Sequence, residues 1–159
     1  MERQFATFYL GDARFGIDIL MVREINRHLE ITAAERAPEF VRGLLNLRGQ
    51  IVTVIDLGVR LGLGARTINS DSRCLVLKTS SDLVEHRRIG RLDDNTVDDV
   101  IGLLIDRVGD MVTVRDEDLE PPPANISGVD GRFLSNVAQL DDGLMIALRT
   151  GEVLGAEAA

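Results

Sequence analysis

Short apolar runs separated by polar breaks organise the chain, and no stretch holds a helical period over the length of an ordinary helix. Residues 5–10 and 15–18 flank Gly11-Asp12-Ala13-Arg14 and predict a hairpin. Residues 19–25 fit two patterns. As a strand they place Leu20, Val22 and Glu24 on one face and Ile19, Met21, Arg23 and Ile25 on the other; as a helix they align Met21, Val22 and Ile25. The strand is favoured, because the segment follows a hairpin directly and lacks an N-cap signal. Residues 37–41 are too short for a full helix, with Pro38 suited to a first turn. Residues 44–48 and 51–55 flank Gly49-Gln50 as a second hairpin, and Ile51-Val52-Thr53-Val54-Ile55 is wholly β-branched. Asp56 opens a short helical segment to Leu61, which Gly62 and Gly64 end.

Residues 74–77 predict another strand, residues 100–105 and 111–114 a third strand pair, and residues 133–140 and 144–148 a fourth hairpin turned at Asp141-Asp142-Gly143. Pro121-Pro122-Pro123 forces an extended connector, and residues 151–159 have room for a short C-terminal helix. Many short strands without amphipathic helices define an all-β sandwich or barrel. The strands form two sets of similar size, so one domain over residues 1–159 is expected, built from two small β-barrels dividing near residues 80–100. The polar stretch 79–99 between them is expected to be exposed and to be cut early by proteases.

Composition narrows the function. With 45% hydrophobic and 4% aromatic residues and no Trp, the core rests on Leu, Val and Ile. The formal charge is −8, and residues 93–120 alone carry ten acids against Arg107 and Arg115. An acidic chain without a basic stretch is a poor match for nucleic acid or anionic lipid. Its longest apolar run, residues 100–105, is far short of a bilayer span, and no secretory leader pattern opens the sequence, so a cytoplasmic chain is expected.

Catalytic raw material is scarce: two histidines, His28 and His86, and one cysteine, Cys74, with no zinc-ligand spacing. His28 lies near Glu24 and Glu30 but reads as a surface residue at a strand end, and Cys74 as packing within an apolar strand. Asp93-Asp94 and Asp98-Asp99 lack the spacing of a calcium loop and read as solvated. An enzyme or metal protein would need a convergent polar pocket around such residues. No cofactor is expected. Residues 41–58 are more informative. Asn46, Arg48 and Gln50 alternate against Leu45 and Leu47, and a guanidinium among apolar strands calls for a carboxylate, for which Glu24 is the candidate; a solvated Arg near a turn is the alternative.

Four stretches resemble the CheW family of bacterial chemotaxis coupling proteins. They are Phe15-Gly16-Ile17-Asp18-Ile19-Leu20 with Val22-Arg23-Glu24-Ile25; Gly43 with Asn46-Leu47-Arg48-Gly49 and Val54-Ile55-Asp56-Leu57; Ile101-Gly102-Leu103-Leu104-Ile105-Asp106 with Val108; and Pro121-Pro122-Pro123 before the Asp141-Asp142-Gly143 hairpin. The resemblance implies two five-stranded barrels sharing a hydrophobic interface, and a non-enzymatic adaptor. Its partners would be the regulatory domain of the histidine kinase CheA and the cytoplasmic tip of methyl-accepting chemoreceptors, in membrane-bound receptor arrays. It further implies coupling roles for Glu24 and Arg48, with Val22, Asn46 and Ile51 near the same groove. Three departures stand out: the long 79–99 connection, Asn136 where Gly is common, and Arg149 where an acid is common. Rival expectations are an adaptor of a type IV pilus or surface-sensing pathway, and a CheW-like piece of CheV or of the kinase.

Overall fold

A computed structural model describes residues 1–90, 92, 94 and 96–155, without the side chain of Arg87. It holds two five-stranded sheets and a small two-stranded one. Sheet I contains β1 (Glu2–Leu10), β2 (Ala13–Asp18), β8 (Arg107–Arg115), β11 (Leu134–Leu140) and β12 (Gly143–Leu148), in the order β11-β12-β2-β1-β8. Sheet II contains β3 (Val22–Asn26), β4 (Val41–Leu47), β5 (Gln50–Asp56), β6 (Arg73–Leu77) and β7 (Ile101–Ile105), in the order β3-β6-β7-β5-β4. The small hairpin pairs β9 (Asn125–Ile126) with β10 (Val129–Asp130). Short helices α1 (Leu57–Arg60), α2 (Val84–Arg88) and α3 (Thr150–Leu154) complete the described elements.

Three apolar clusters explain why some runs alternate and others do not. Leu45, Leu47, Val52, Val54, Cys74, Val76 and Leu104 pack on one side of sheet II, and Phe5, Val114, Ala138, Met145 and Ala147 on one side of sheet I. The largest cluster joins the sheets, with Phe8, Phe15, Ile17, Ile146 and Leu148 meeting Ile55, Leu75, Leu77, Leu103 and Ile105. Strands β6, β7 and β12 therefore bury both faces, and their sequences are continuously apolar because neither face meets water. Gly102 permits this packing, since a Cβ there would lie 2.3 Å from Cys74 Sγ.

The sheets do not divide the chain near residues 80–100. Sheet I takes strands from both ends of the sequence and sheet II the residues between them. The segments 100–105 and 111–114 accordingly are not a strand pair. β7 pairs with β5 and β6, β8 pairs with β1, and Asp106 alone carries the chain from one sheet to the other. The other crossing is Ile19–Met21, a 3-10 turn where a strand is expected. Asp18 caps it by accepting from the Leu20 amide at 2.9 Å, so the stop signal lies in the last residue of the preceding strand.

Each sheet is also bridged across its outer edges. Thr32, beyond β3, pairs with Leu44 of β4, and Glu120, beyond β8, pairs with Val137 of β11. Both sheets are thereby curled rather than flat.

About half of the described residues in the 79–99 connection are exposed, as expected, yet the connection is anchored at several points. Leu83 and Leu92 are buried in the inter-sheet cluster, and Ser80 N donates to the Val97 carbonyl at 3.0 Å, drawing the ends together. Asp94 then accepts from the Thr150 and Gly151 amides at 2.7 and 3.0 Å, capping α3 from a distant part of the chain. From the other end, Arg60 of α1 donates to the Val153 and Glu152 carbonyls. Of the tail expected to be helical, residues 156–159 lie outside the described residues.

Candidate functional site

The second hairpin turns at Arg48-Gly49, one residue earlier than its sequence suggests, and Gln50 begins β5. Both turn residues are left-handed, with φ of 53° and 86°, the two-residue geometry that suits strand twist. For Arg48 this conformation costs about 1 kcal/mol relative to glycine. Asn46 supports it, its Oδ1 accepting from the Gly49 amide at 2.9 Å.

The strained turn has a consequence for placement. Arg48 Nη2 donates to both carboxylate oxygens of Glu24, at 2.8 and 2.7 Å. Glu24 lies on β3 and Arg48 at the tip of β4, the two outer strands of sheet II, so the pair closes across the mouth of the curled sheet. Its side chains are 70% exposed for Arg48 and 27% for Glu24, so the guanidinium stands open to solvent. Arg23 extends the cluster by donating to Gln50 Oε1 at 3.2 Å and pairing with Asp82 at the start of the long connection. Asp82 is held below the usual carboxylate range, first by the Thr79 amide and then by the Arg23 guanidinium.

Around these charges lie exposed apolar side chains. Asn46 and Ile51 face each other across the hairpin, with Ile51 55% exposed and Leu44 open beside them, while Leu45 and Leu47 point inward. Val22 is half-buried and packs against the inter-sheet cluster. The structure thus joins Glu24 and Arg48 directly and places Asn46 and Ile51 on the neighbouring outer face. Arg23 and Asp82 are the members that pattern reading missed. Alternation already groups Gln50 with Asn46 and Arg48, but the Asp82 contact is made across a sequence distance that carries no local signal.

The residues considered for catalysis are scattered. His28 is exposed just beyond β3, its backbone amide bound to Asn26 Oδ1. Cys74 is fully buried, and burial pushes its thiol up to about 12, well away from a reactive thiolate. A cleft of about 500 Å³ is lined by Arg3, Asp18, Asp94, Asp116 and Arg149, and by neither His28 nor Cys74. Among the described residues no group of three His, Cys, Asp or Glu side chains could hold a metal ion, and Asp93 lies outside them. Nor is any described helix long and apolar enough to cross a membrane.

Part of the acidic stretch is neutralised internally. Asp106 pairs with Arg66, Asp116 with Arg3, and Arg115 with both Glu117 and Asp118. The acids after Asp106 lie on and beyond β8, hence on sheet I rather than on a separate C-terminal half.

Two curled sheets fused through an apolar layer, with an ion pair and apolar side chains at one mouth, describe an interaction scaffold. The chain belongs to the CheW-like domain family, whose model matches residues 4–158. It is 31% identical to the probable chemotaxis protein CheW of Rhizobium etli, over 98% of this chain and 89% of that one. It is 32% identical to the chemotaxis protein CheW of Rhizobium meliloti, over 92% of this chain and 83% of that one. Among solved structures, the scaffolding protein TtCheW of Thermoanaerobacter tengcongensis superposes with a TM-score of 0.74 at 30% identity, covering 93% of this chain and 84% of that one. Chemotaxis scaffolding is the class of function that fold and family define.

Proposed function

We propose that the chain is a non-enzymatic adaptor in cytoplasmic receptor arrays, linking the cytoplasmic tip of methyl-accepting chemoreceptors to the regulatory domain of the histidine kinase CheA. The observation that carries this reading is the bidentate Glu24–Arg48 pair across the mouth of sheet II, flanked by exposed Ile51 and Leu44. An exposed ion pair adds little to folding, and apolar side chains left in water beside it add nothing. Both gain a purpose when a partner covers them, with apolar contacts at the centre and charges at the rim. Asn46 shapes the turn that presents Arg48, and Val22 anchors the strand that presents Glu24. Signal then passes as a change in the relative placement of bound partners.

The test is co-purification and calorimetric binding with purified receptor-tip and kinase regulatory-domain fragments. A complex with each, and a ternary complex with both, is the expected result. Failure to bind either fragment overturns the proposal.

A further inference from the structure

Simple alternation along β3 would put Val22 and Glu24 on one face, and the structure separates them. Val22 stands opposite Leu77 of β6 and packs with the inter-sheet cluster, whereas Glu24 stands opposite Val76, a member of the cluster on the other side of sheet II. Residues directly opposite in an antiparallel pair share a face, so Glu24 points to the side that Val22 leaves. The register shift responsible falls between them and leaves Arg23 as the extra residue of a β-bulge. The bulge is what turns the carboxylate toward Arg48.

The side chain of the bulge residue is held at both ends. Arg23 Nη1 donates to Gln50 Oε1 at 3.2 Å, and Nη2 pairs with Asp82. Gln50 directly follows the Arg48-Gly49 turn, so consecutive residues of β3 reach the two flanks of one turn: Arg23 takes Gln50 and Glu24 takes Arg48. β3 and the hairpin are not paired with each other in sheet II, and at this end side chains bring them together. Asp82 is itself anchored, accepting from the Thr79 amide at 3.0 Å while its own amide donates to Thr79 Oγ1 at 3.3 Å. Lys78 N, just before, donates to the Met21 carbonyl at 2.8 Å, and Leu83, just after, is buried in the core. Arg23 is thus braced on a fixed point outside the hairpin. With 30% and 39% exposure, the Arg23–Asp82 pair adds little to global stability, and its effect is local.

We infer that Arg23 is a positioning residue of the coupling site: braced on Asp82, it fixes the bulge and the Gln50 flank of the turn so that Glu24 and Arg48 already meet when a partner arrives. It acts through Arg48 and not through a contact of its own with the partner. Holding the pair in one arrangement beforehand spares the complex the cost of ordering it. The effect on affinity rests on the reading of Glu24 and Arg48 as the coupling site; the effect on the turn does not.

Two measurements on the full chain test this. In NMR relaxation, the Arg48 and Gly49 amides are expected to fall from the rigid range, an order parameter near 0.85, toward about 0.6 in Arg23→Ala and in Asp82→Asn, with Arg23→Lys between these and the unaltered protein. The melting transition is expected to move by less than about 2 °C, which separates a local loosening from a general loss of stability. Unchanged order parameters in Arg23→Ala overturn the inference whatever the binding results. In binding to a purified receptor-tip fragment, Arg23→Ala is expected to lose about five-fold in affinity, but less than about two-fold when added to Arg48→Gln. A full five-fold loss on top of Arg48→Gln makes Arg23 an independent contact, which overturns the positioning role and leaves the site standing. Unchanged affinity in all of these variants overturns both the site and the part of Arg23 in it.

Discussion

Two arginine–carboxylate pairs stand in opposite settings in this molecule. Arg66 donates from Nε and Nη2 to the two oxygens of Asp106 at 3.0 and 2.8 Å, a two-nitrogen fork, whereas Arg48 offers the single nitrogen Nη2 to both oxygens of Glu24 at 2.8 and 2.7 Å. The Arg66–Asp106 pair is largely shielded, with 19% and 22% exposure, and stands at the single residue where the chain passes from sheet II to sheet I. Asp106 also accepts from the Gly11 amide in the β1–β2 turn, and the Arg66 amide donates to Asp56, which is itself bound by Arg42. Each member of that group answers a polar atom that burial would otherwise leave unpaired. The Arg48–Glu24 pair is tied into nothing of the kind, and its arginine sits in a strained turn. Buried pairing is concentrated at the crossing and exposed charge at the mouth.

The contrast is broken most severely at Asp56. Its side chain is buried and serves Arg42, the Arg66 amide and the first turn of α1. Asp56→Ala strands all three, and a loss of about 3 kcal/mol in denaturant unfolding is expected. A loss below about 1 kcal/mol would mean that the network is incidental.

A smaller effect, with a distinct pH signature, is expected at Asp106. Burial works against its charge, but the Arg66 bonds and the Gly11 amide outweigh it and hold the carboxyl below the usual range. A carboxylate depressed on folding stabilises fully above its unfolded value near pH 4, and that share disappears as pH falls through the lower folded value. Asp106→Asn should cost about 1 kcal/mol at neutral pH and flatten the acid limb of the stability curve. An unchanged acid limb would show that Asp106 has no part in it.

The least change in stability is expected at Arg48. Arg48→Gly gives up an exposed pair of roughly 0.5 kcal/mol and relieves a left-handed arginine at a gain of about 1 kcal/mol. Thermal unfolding should therefore be neutral or slightly raised, which would sharpen the contrast with Asp56. A large loss would make Arg48 a structural residue like Arg66.

Much of this arrangement was readable from local pattern, and the failures are specific. Alternation placed Leu45 and Leu47 inside and Asn46 outside, and the need of an arginine for a carboxylate singled out Glu24. Turn chemistry was harder, because Gly49 occupies the second turn position and left-handed Arg48 the first, where no propensity favours it. The third strand pair failed because β7 and β8 are adjacent in sequence yet find better partners in different sheets. No local signal announces that Asp94 will cap α3, or that Leu83 and Leu92 will be drawn into a core built by strands elsewhere. Contacts of that range follow from the finished fold and not from any window of residues.

The central claim, that the mouth of sheet II couples a receptor to a kinase, is tested most directly by Arg48→Glu in a reconstituted assay of receptor-stimulated kinase activity. The variant places like charges beside each other at Glu24 while leaving the buried networks untouched. A folded protein that no longer supports stimulation is the predicted result. Stimulation at the level of the unaltered chain would contradict the claim.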